Sequence, residues 1–256
     1  SMKYKQYKDD VINKYTRGHT SIQISEDLNI PSYAVRRLLC ENNIRLGHKT
    51  PFKSKNQISV SSKLVEIING SLLGDGFLSR YITDSNRKNC NSKLMINYST
   101  VNNEYTNHIF NLLNLECKTY KYCFNRNLEN KKIKDNGIIT INTCQNQSFN
   151  SFRDTWYPFG IKIVPSDIIL TSLTLAIWFQ DDGYKHKSGS YYLCTDNFSF
   201  ADLKILQKAL LRDLNIKSSV HWNGIKQRIY IKKESSEIFK NITQSFICPF
   251  MKYKLH

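Results

Sequence analysis

Two apolar stretches dominate the hydrophobic pattern of the chain, at 64–73 and 170–180. Each is too long for a strand, and each runs into an acidic residue followed by glycine, so each is predicted to be a helix ending there. The same signals then follow both, in the same order. In the first half, strands are expected at 77–83 and 94–99, a helix at 102–113, strands at 119–125 and 137–143, and a closing helix at 148–156. In the second half they are expected at Tyr184 and 191–195, then 200–214, then 217–222 and 227–232, then 236–246. The order is αββαββα twice. Residues 62–165 and 166–256 should therefore be two copies of one α+β unit, related by a pseudo-twofold axis.

The chain ahead of them has a different rhythm. Tyr7, Val11, Ile12 and Tyr15 recur at helical spacing, 20–30 gives a short amphipathic helix and a turn, and Pro31-Ser32 opens a third helix with Val35, Leu38 and Leu39 on one face. This pattern over 2–45 resembles the helix-turn-helix of resolvase- and transposase-type DNA-binding modules. The resemblance implies that the third helix enters a major groove, with Ser32, Tyr33, Arg36 and Arg37 meeting base edges. A plain three-helix packing module with solvated arginines stays open. Residues 46–61 carry Lys49 and Lys53, a proline, small polar residues and little periodicity, which reads as a basic linker suited to lie along phosphates.

Charge narrows the function classes. The 256 residues hold 37 Lys plus Arg against 21 Asp plus Glu, a net charge of +16, while apolar residues reach 40%. The apolar share excludes a disordered basic tail, and the charge points to a polyanion, most simply nucleic acid. No run of about 18 apolar residues exists to span a membrane. The seven cysteines are scattered without a CxxC pair or a zinc pattern, so reduced thiols in an intracellular compartment are expected. No secretory signal opens the sequence, and Ser1 ahead of Met2 reads as the remnant of a cleaved tag.

The later strands alternate with period two. Lys217, Ser219 and His221 share one face, as do Lys226, Arg228, Tyr230 and Lys232, and no acid appears until Glu234. One buried face and one basic face make a sheet that can sit on DNA as a saddle. Lys185, Lys187 and Tyr192 in this half, and Arg80, Lys93, Asn97 and Lys121 in the other, join the expected DNA contacts.

The chemistry lies where the two long helices end, at 68–76 (INGSLLGDG) and 175–183 (LAIWFQDDG). Two such helices packed side by side would bring Asp75 and Asp182 together across the axis. Carboxylates beside the free carbonyls of helix C-termini make a site for a hard cation. Gly70 and Gly74 would let the first helix approach closely, opposite the bulkier Trp178 and Phe179. The paired nonamers resemble the signature of the LAGLIDADG homing endonucleases, above all the single-chain intron-encoded endonucleases and maturases, over residues 62–256. The likeness extends to Lys162-Ile163-Val164-Pro165 and Tyr253-Lys254-Leu255. The acid that the family usually carries two residues before the catalytic one is replaced by Leu73 and Gln180.

The resemblance implies a site-specific double-strand DNA endonuclease. It implies Mg²⁺ (Mn²⁺ substituting) on Asp75 and Asp182, with Gly74 and Asp181 beside them, and catalytic lysines at Lys162 and Lys254. It also implies a monomer acting on a long, non-palindromic target. Two other readings stay open: a non-catalytic DNA-binding regulator, and a maturase whose partner is a group I intron RNA.

Overall fold

The structure, a computed structural model, describes residues 2–17, 19–42, 58–80, 91–124, 137–222, 224 and 226–256. Lys49, Lys53, most of the expected linker and the ends of two expected strands (81–83 and 125) lie outside these residues. The chain divides into two compact units, Ser1–Lys55 and Asn56–His256.

In the first unit a 3₁₀ segment, Met2–Tyr7, leads into α1 (Lys8–Thr16), α2 (Ser21–Asp27) and α3 (Ser32–Glu41). Thr20 and Gln23 form a capping box that starts α2. Asn29, at φ 51°, makes the left-handed turn into α3, a conformation that asparagine tolerates better than most residues. Val11, Ile24, Ile30, Val35, Leu38 and Leu39 close a small core of their own.

The second unit contains the expected repeat. Its first copy runs α4 (Ser62–Leu73), β1 (Gly76–Ser79), β2 (Lys93–Ser99), α5 (Asn103–Glu116), β3 (Thr119–Phe124), β4 (Ile138–Thr143) and α6 (Ser148–Trp156). The second runs α7 (Ser172–Asp182), β5 (Gly183–Lys185), β6 (Tyr191–Cys194), α8 (Phe200–Leu214), β7 (Ser218–Trp222), β8 (Gln227–Ile231) and α9 (Ser236–Thr243). A terminal 3₁₀ helix, Pro249–Leu255, follows. Each copy has one antiparallel four-stranded sheet, ordered β1-β2-β4-β3 and β5-β6-β8-β7, so the strand order repeats as well as the element order.

The two long helices form the centre. Ser61 and Thr171 cap α4 and α7 by accepting from the N–H groups of Leu64 and Thr174. Leu173 through Gln180 are all buried, so α7 is an interior helix with no solvent stripe. It packs along α4, where Ile67, Ile68, Leu72 and Leu73 are also buried. Each such side chain contributes about 1.5–3 kcal/mol relative to exposure. Gly70 permits the contact: a Cβ there would stand 2.8 Å from both Ile177 Cβ and the Thr174 carbonyl.

Candidate active site and nucleic-acid interface

The two motif helices end differently. α7 carries Asp182 as its last helical residue, whereas α4 stops at Leu73 and Asp75 lies beyond its cap, Gly74. Gly74 faces Asp181, and a Cβ there would stand 2.4 Å from Asp181 Oδ2. Asp181, placed beside the metal by resemblance, turns its carboxylate into the helix interface. There it accepts from Tyr98 (3.0 Å), from Tyr105 (2.7 Å) and from the Asp75 N–H (3.2 Å). This side chain is thus taken up by the protein and not free to ligate a cation.

Asp75 reaches the surface and Asp182 is half-buried. Desolvation raises both carboxyls, Asp182 to about 6, with the Asp75 charge adding to it and Lys254 and Lys162 opposing. Asp181 is lifted to about 8, again by desolvation first and by Asp75 second. The lysines complete the group. Lys162 Nζ donates to the Gly76 carbonyl at 2.9 Å, and Lys254 Nζ donates to the carbonyls of Gln180 (2.5 Å) and Asp181 (3.3 Å). Each lysine thus returns from the end of its own repeat to its own motif. Desolvation lowers both, Lys162 to about 8, although all three aspartates pull the other way. Acids and lysines of both repeats therefore share one electrostatic pocket.

The donor set suits a hard divalent cation. Neither Asp75 nor Asp182 accepts a hydrogen bond through its carboxylate from a described residue. Lys254 and Lys162 offset part of their charge from a distance, and the carboxylate oxygens themselves stay open to a ligand. Among the described residues no cage of three or more His, Cys, Asp or Glu is assembled. Two carboxylates with carbonyls, water and a phosphate are the usual surroundings of Mg²⁺.

Gln180, two residues before Asp182, is buried. It donates to the carbonyls of Ala176 and Phe246 and accepts from the Cys248 N–H at 2.7 Å. It thereby pins the terminal segment that carries Lys254.

The open sheet faces are more aromatic than expected. In the second sheet Tyr184 stacks on Tyr192 at 5.3 Å, and His221 stacks on Tyr230 at 4.5 Å while bonding Tyr192 and Ser219. Arg228 lies over Tyr184. The acid missing from these strands comes from outside them: Asp196 pairs with Lys226 and Arg228, and Glu234 with Lys217. Lys187 is exposed in the β5–β6 turn. Lys185 is not on this face. It sits opposite inward-facing Tyr191 and donates to the Leu255 carbonyl.

In the first sheet, Lys93 and Asn97 share the open face. Arg80 and Lys121 do not reach it. Arg80 pairs with Asp154 of α6, and Lys121 lies opposite inward-facing Ile141, bonded to Asn107 and over the Phe110 ring of α5. Residue type suggested both, but strand register overrides it: parity places Lys121 on the helix side. The same parity exposes Tyr120 and Tyr122, stacked at 6.4 Å, which reasoning from charge alone passed over. In α3, Ser32 is half-buried, Tyr33 is 64% exposed, Arg36 is exposed, and Arg37 pairs with Glu41.

The sequence matches the LAGLIDADG DNA endonuclease family over residues 65–239. The chain belongs to that family. It is 33% identical to the cytochrome b mRNA maturase bI2 of Debaryomyces hansenii, with 77% of this chain and 74% of that protein covered. It is 28% identical to the probable intron-encoded endonuclease 1 of Wickerhamomyces canadensis, over 78% of this chain and 87% of the relative. A solved structure, the homing endonuclease I-WcaI bound to its DNA recognition sequence, shares the fold. Its TM-score is 0.67 at 24% identity, covering 84% of this chain and 97% of that one. No helix among the described residues of this LAGLIDADG protein is long and apolar enough to cross a membrane.

Proposed function

We propose that the protein is a divalent-metal-dependent, site-specific DNA endonuclease that cuts both strands of a long, non-palindromic target as a monomer. One observation carries the reading. Asp75 and Asp182, at equivalent motif ends, lie within electrostatic reach of a lysine from each repeat, and their carboxylates accept no hydrogen bond from a described residue. Two motif helices within one chain make a second subunit unnecessary.

Asp75 and Asp182 would hold the cation, helped by the carbonyls of Gly74 and Asp181. Mg²⁺ or Mn²⁺ bound there supplies positive charge for the phosphodiester and an acidified water. Lys162 and Lys254, near the same carboxylates, would donate from Nζ to the phosphoryl oxygens as charge builds. Lys162, drawn to about 8, can also hold or release a proton near neutrality. The open sheet faces would orient the duplex, with tyrosines, His221 and Asn97 at base edges and Lys93, Lys187, Lys217, Lys226 and Arg228 at phosphates. The test is cleavage of a plasmid library with randomised inserts in Mg²⁺, followed by recovery of the linear product. A recurrent cut site that is lost in EDTA and in Asp75→Asn supports the reading, and no linear product under any divalent cation overturns it.

A second reading, a maturase acting on intron RNA, is favoured by the name of the Debaryomyces hansenii relative. It would use the same basic chain without the paired carboxylates. An Asp75→Asn variant that still promoted splicing of a bound intron would separate the two.

A further inference from the structure

Asp75 has a backbone problem that Asp182 does not. In α4 the helical ladder reaches Gly74, whose N–H bonds the Gly70 carbonyl at 3.2 Å, and the chain then leaves the helix with Gly74 at ψ −131°. The next N–H, on Asp75, lies at a helix end where donors and acceptors must be met from outside. Its partner is the Asp181 carboxylate of the other repeat. That carboxylate is itself held by first-repeat groups, Tyr98 from β2 and Tyr105 from α5. The arrangement is one-sided. Opposite Asp181 stands Gly74, with no side chain to return the contact. By strand register the counterpart of Tyr98 is Thr195, two residues past Leu193 as Tyr98 is two past Ile96, and its hydroxyl bonds the Gln227 carbonyl instead.

From this geometry we infer that Asp181 is a positioning residue. It replaces the acceptor that α4 gives up at Gly74, and so fixes the Asp75 main chain and the direction of its carboxylate. It touches neither substrate nor reacting atoms through its side chain; it acts through Asp75. Tyr98 and Tyr105 hold it in turn, so repeat one orients its own metal acid by way of an acid lent by repeat two. The inference rests on the endonuclease reading for its consequence in cleavage, but not for its consequence in cation binding.

The experiment uses the full chain with Asp181→Ala, Asp181→Asn and the double variant Tyr98→Phe/Tyr105→Phe. Mn²⁺ affinity is read by electron paramagnetic resonance without DNA, and kcat and KM on a cleavable plasmid. The net worth of one ordinary hydrogen bond gives the scale, so Asp181→Ala should weaken Mn²⁺ binding and lower kcat by roughly twofold to tenfold, with KM for DNA unchanged. Nicked circles should accumulate ahead of linear product, because one carboxylate of the pair is misplaced. Asp181→Asn keeps an oxygen for the Asp75 N–H and should recover most of both losses. The double tyrosine variant, which leaves that acceptor in place but loosens it, should fall between. Unchanged Mn²⁺ affinity and kcat in Asp181→Ala would overturn the inference. So would equal loss in Asn and Ala, or a loss confined to KM and melting temperature. If the wild type binds Mn²⁺ and cuts nothing, the endonuclease reading fails, while the Mn²⁺ comparison still decides the role of Asp181. If Asp181→Ala does not fold, the Asn and double-Phe variants carry the same comparison, and wild-type Mn²⁺ affinity in both would overturn it.

Discussion

Lys162 Nζ donates to the Gly76 carbonyl at 2.9 Å, so an ammonium from the end of the first repeat rests against the backbone one residue beyond Asp75. Desolvation has already drawn this lysine down to about 8, which means that the protein holds the charge there at a cost. Lys162→Met should therefore leave the melting temperature unchanged or raise it, since a desolvated cation is replaced by an apolar chain. Cleavage should suffer instead. Loss of one donor to a developing oxyanion lowers kcat by about 100-fold or more. Single-turnover cleavage beside thermal denaturation checks both halves, and a destabilised but fully active variant would contradict the assignment.

The acids set a pH dependence whose sign can be worked out. Asp182 is raised to about 6 in the fold, above its ordinary value of 3.8. A raised carboxyl contributes stability that is full below the unfolded value and is lost as pH rises through the folded one. The cation-free protein should thus lose stability between about pH 4 and 6 from this group, and a divalent cation should restore it above that range. Cation affinity must run the opposite way, climbing through about pH 6 as the proton leaves. Mn²⁺ titrations across this window, with and without Asp182→Asn, should show the climb in the wild type and a flatter profile in the variant.

Gly70 carries the third prediction. Alanine gains helix propensity over glycine by about 1 kcal/mol. At this position, however, the new methyl would stand 2.8 Å from the β-branched Ile177 and from the Thr174 backbone carbonyl, neither of which can swing aside. Overpacking of this kind costs about 1–3 kcal/mol, so the net change for Gly70→Ala is destabilising, and Gly70→Val should be worse. Urea denaturation measures it; a stabilised Gly70→Ala variant would mean that α4 and α7 can separate slightly without penalty.

Much of this architecture was legible in the sequence because it is written twice. Repetition of helix, strand pair, helix, strand pair and helix gave the elements and the family. It also marked Asp75 and Asp182, since a single Asp-Gly after an apolar run says little. The sequence did not reveal which cations face outward. Lys121, Lys185 and Arg80 read as DNA contacts by charge, yet strand parity turns the two lysines toward the helical layer and Asp154 of α6 draws Arg80 the same way. Nor did the sequence show that the Asp181 side chain turns away from Asp182 into the helix interface. Two adjacent acids at a helix end differ only in which side of the helix they take, and that depends on the tyrosines of the other repeat.

The three N-terminal helices supply the last prediction. Arg36 and Arg37 are adjacent on α3 but differ in their surroundings. Arg37 is tied to Glu41 at 2.7 Å, one helical turn on, while Arg36 projects into solvent. An exposed i,i+4 pair is worth only about 0.3–0.5 kcal/mol, so Arg37 can be recruited cheaply, and Arg36 needs no rearrangement at all. If α3 reads bases, Arg36→Ala should cost about 1–3 kcal/mol and relax preference at one position of the target. If it meets only phosphate, the loss should be uniform across sequences, with the salt dependence shallower by about 0.9 log units per decade. Binding titrations on matched and scrambled duplexes at several salt concentrations distinguish these cases. Removing residues 2–45 should in either case weaken binding while leaving the cleavage rate at saturating protein intact, because Asp75, Asp182 and both lysines belong to the other unit. An unchanged affinity in Arg36→Ala, Arg37→Ala and the truncated chain alike would make the three helices a packing module and nothing more.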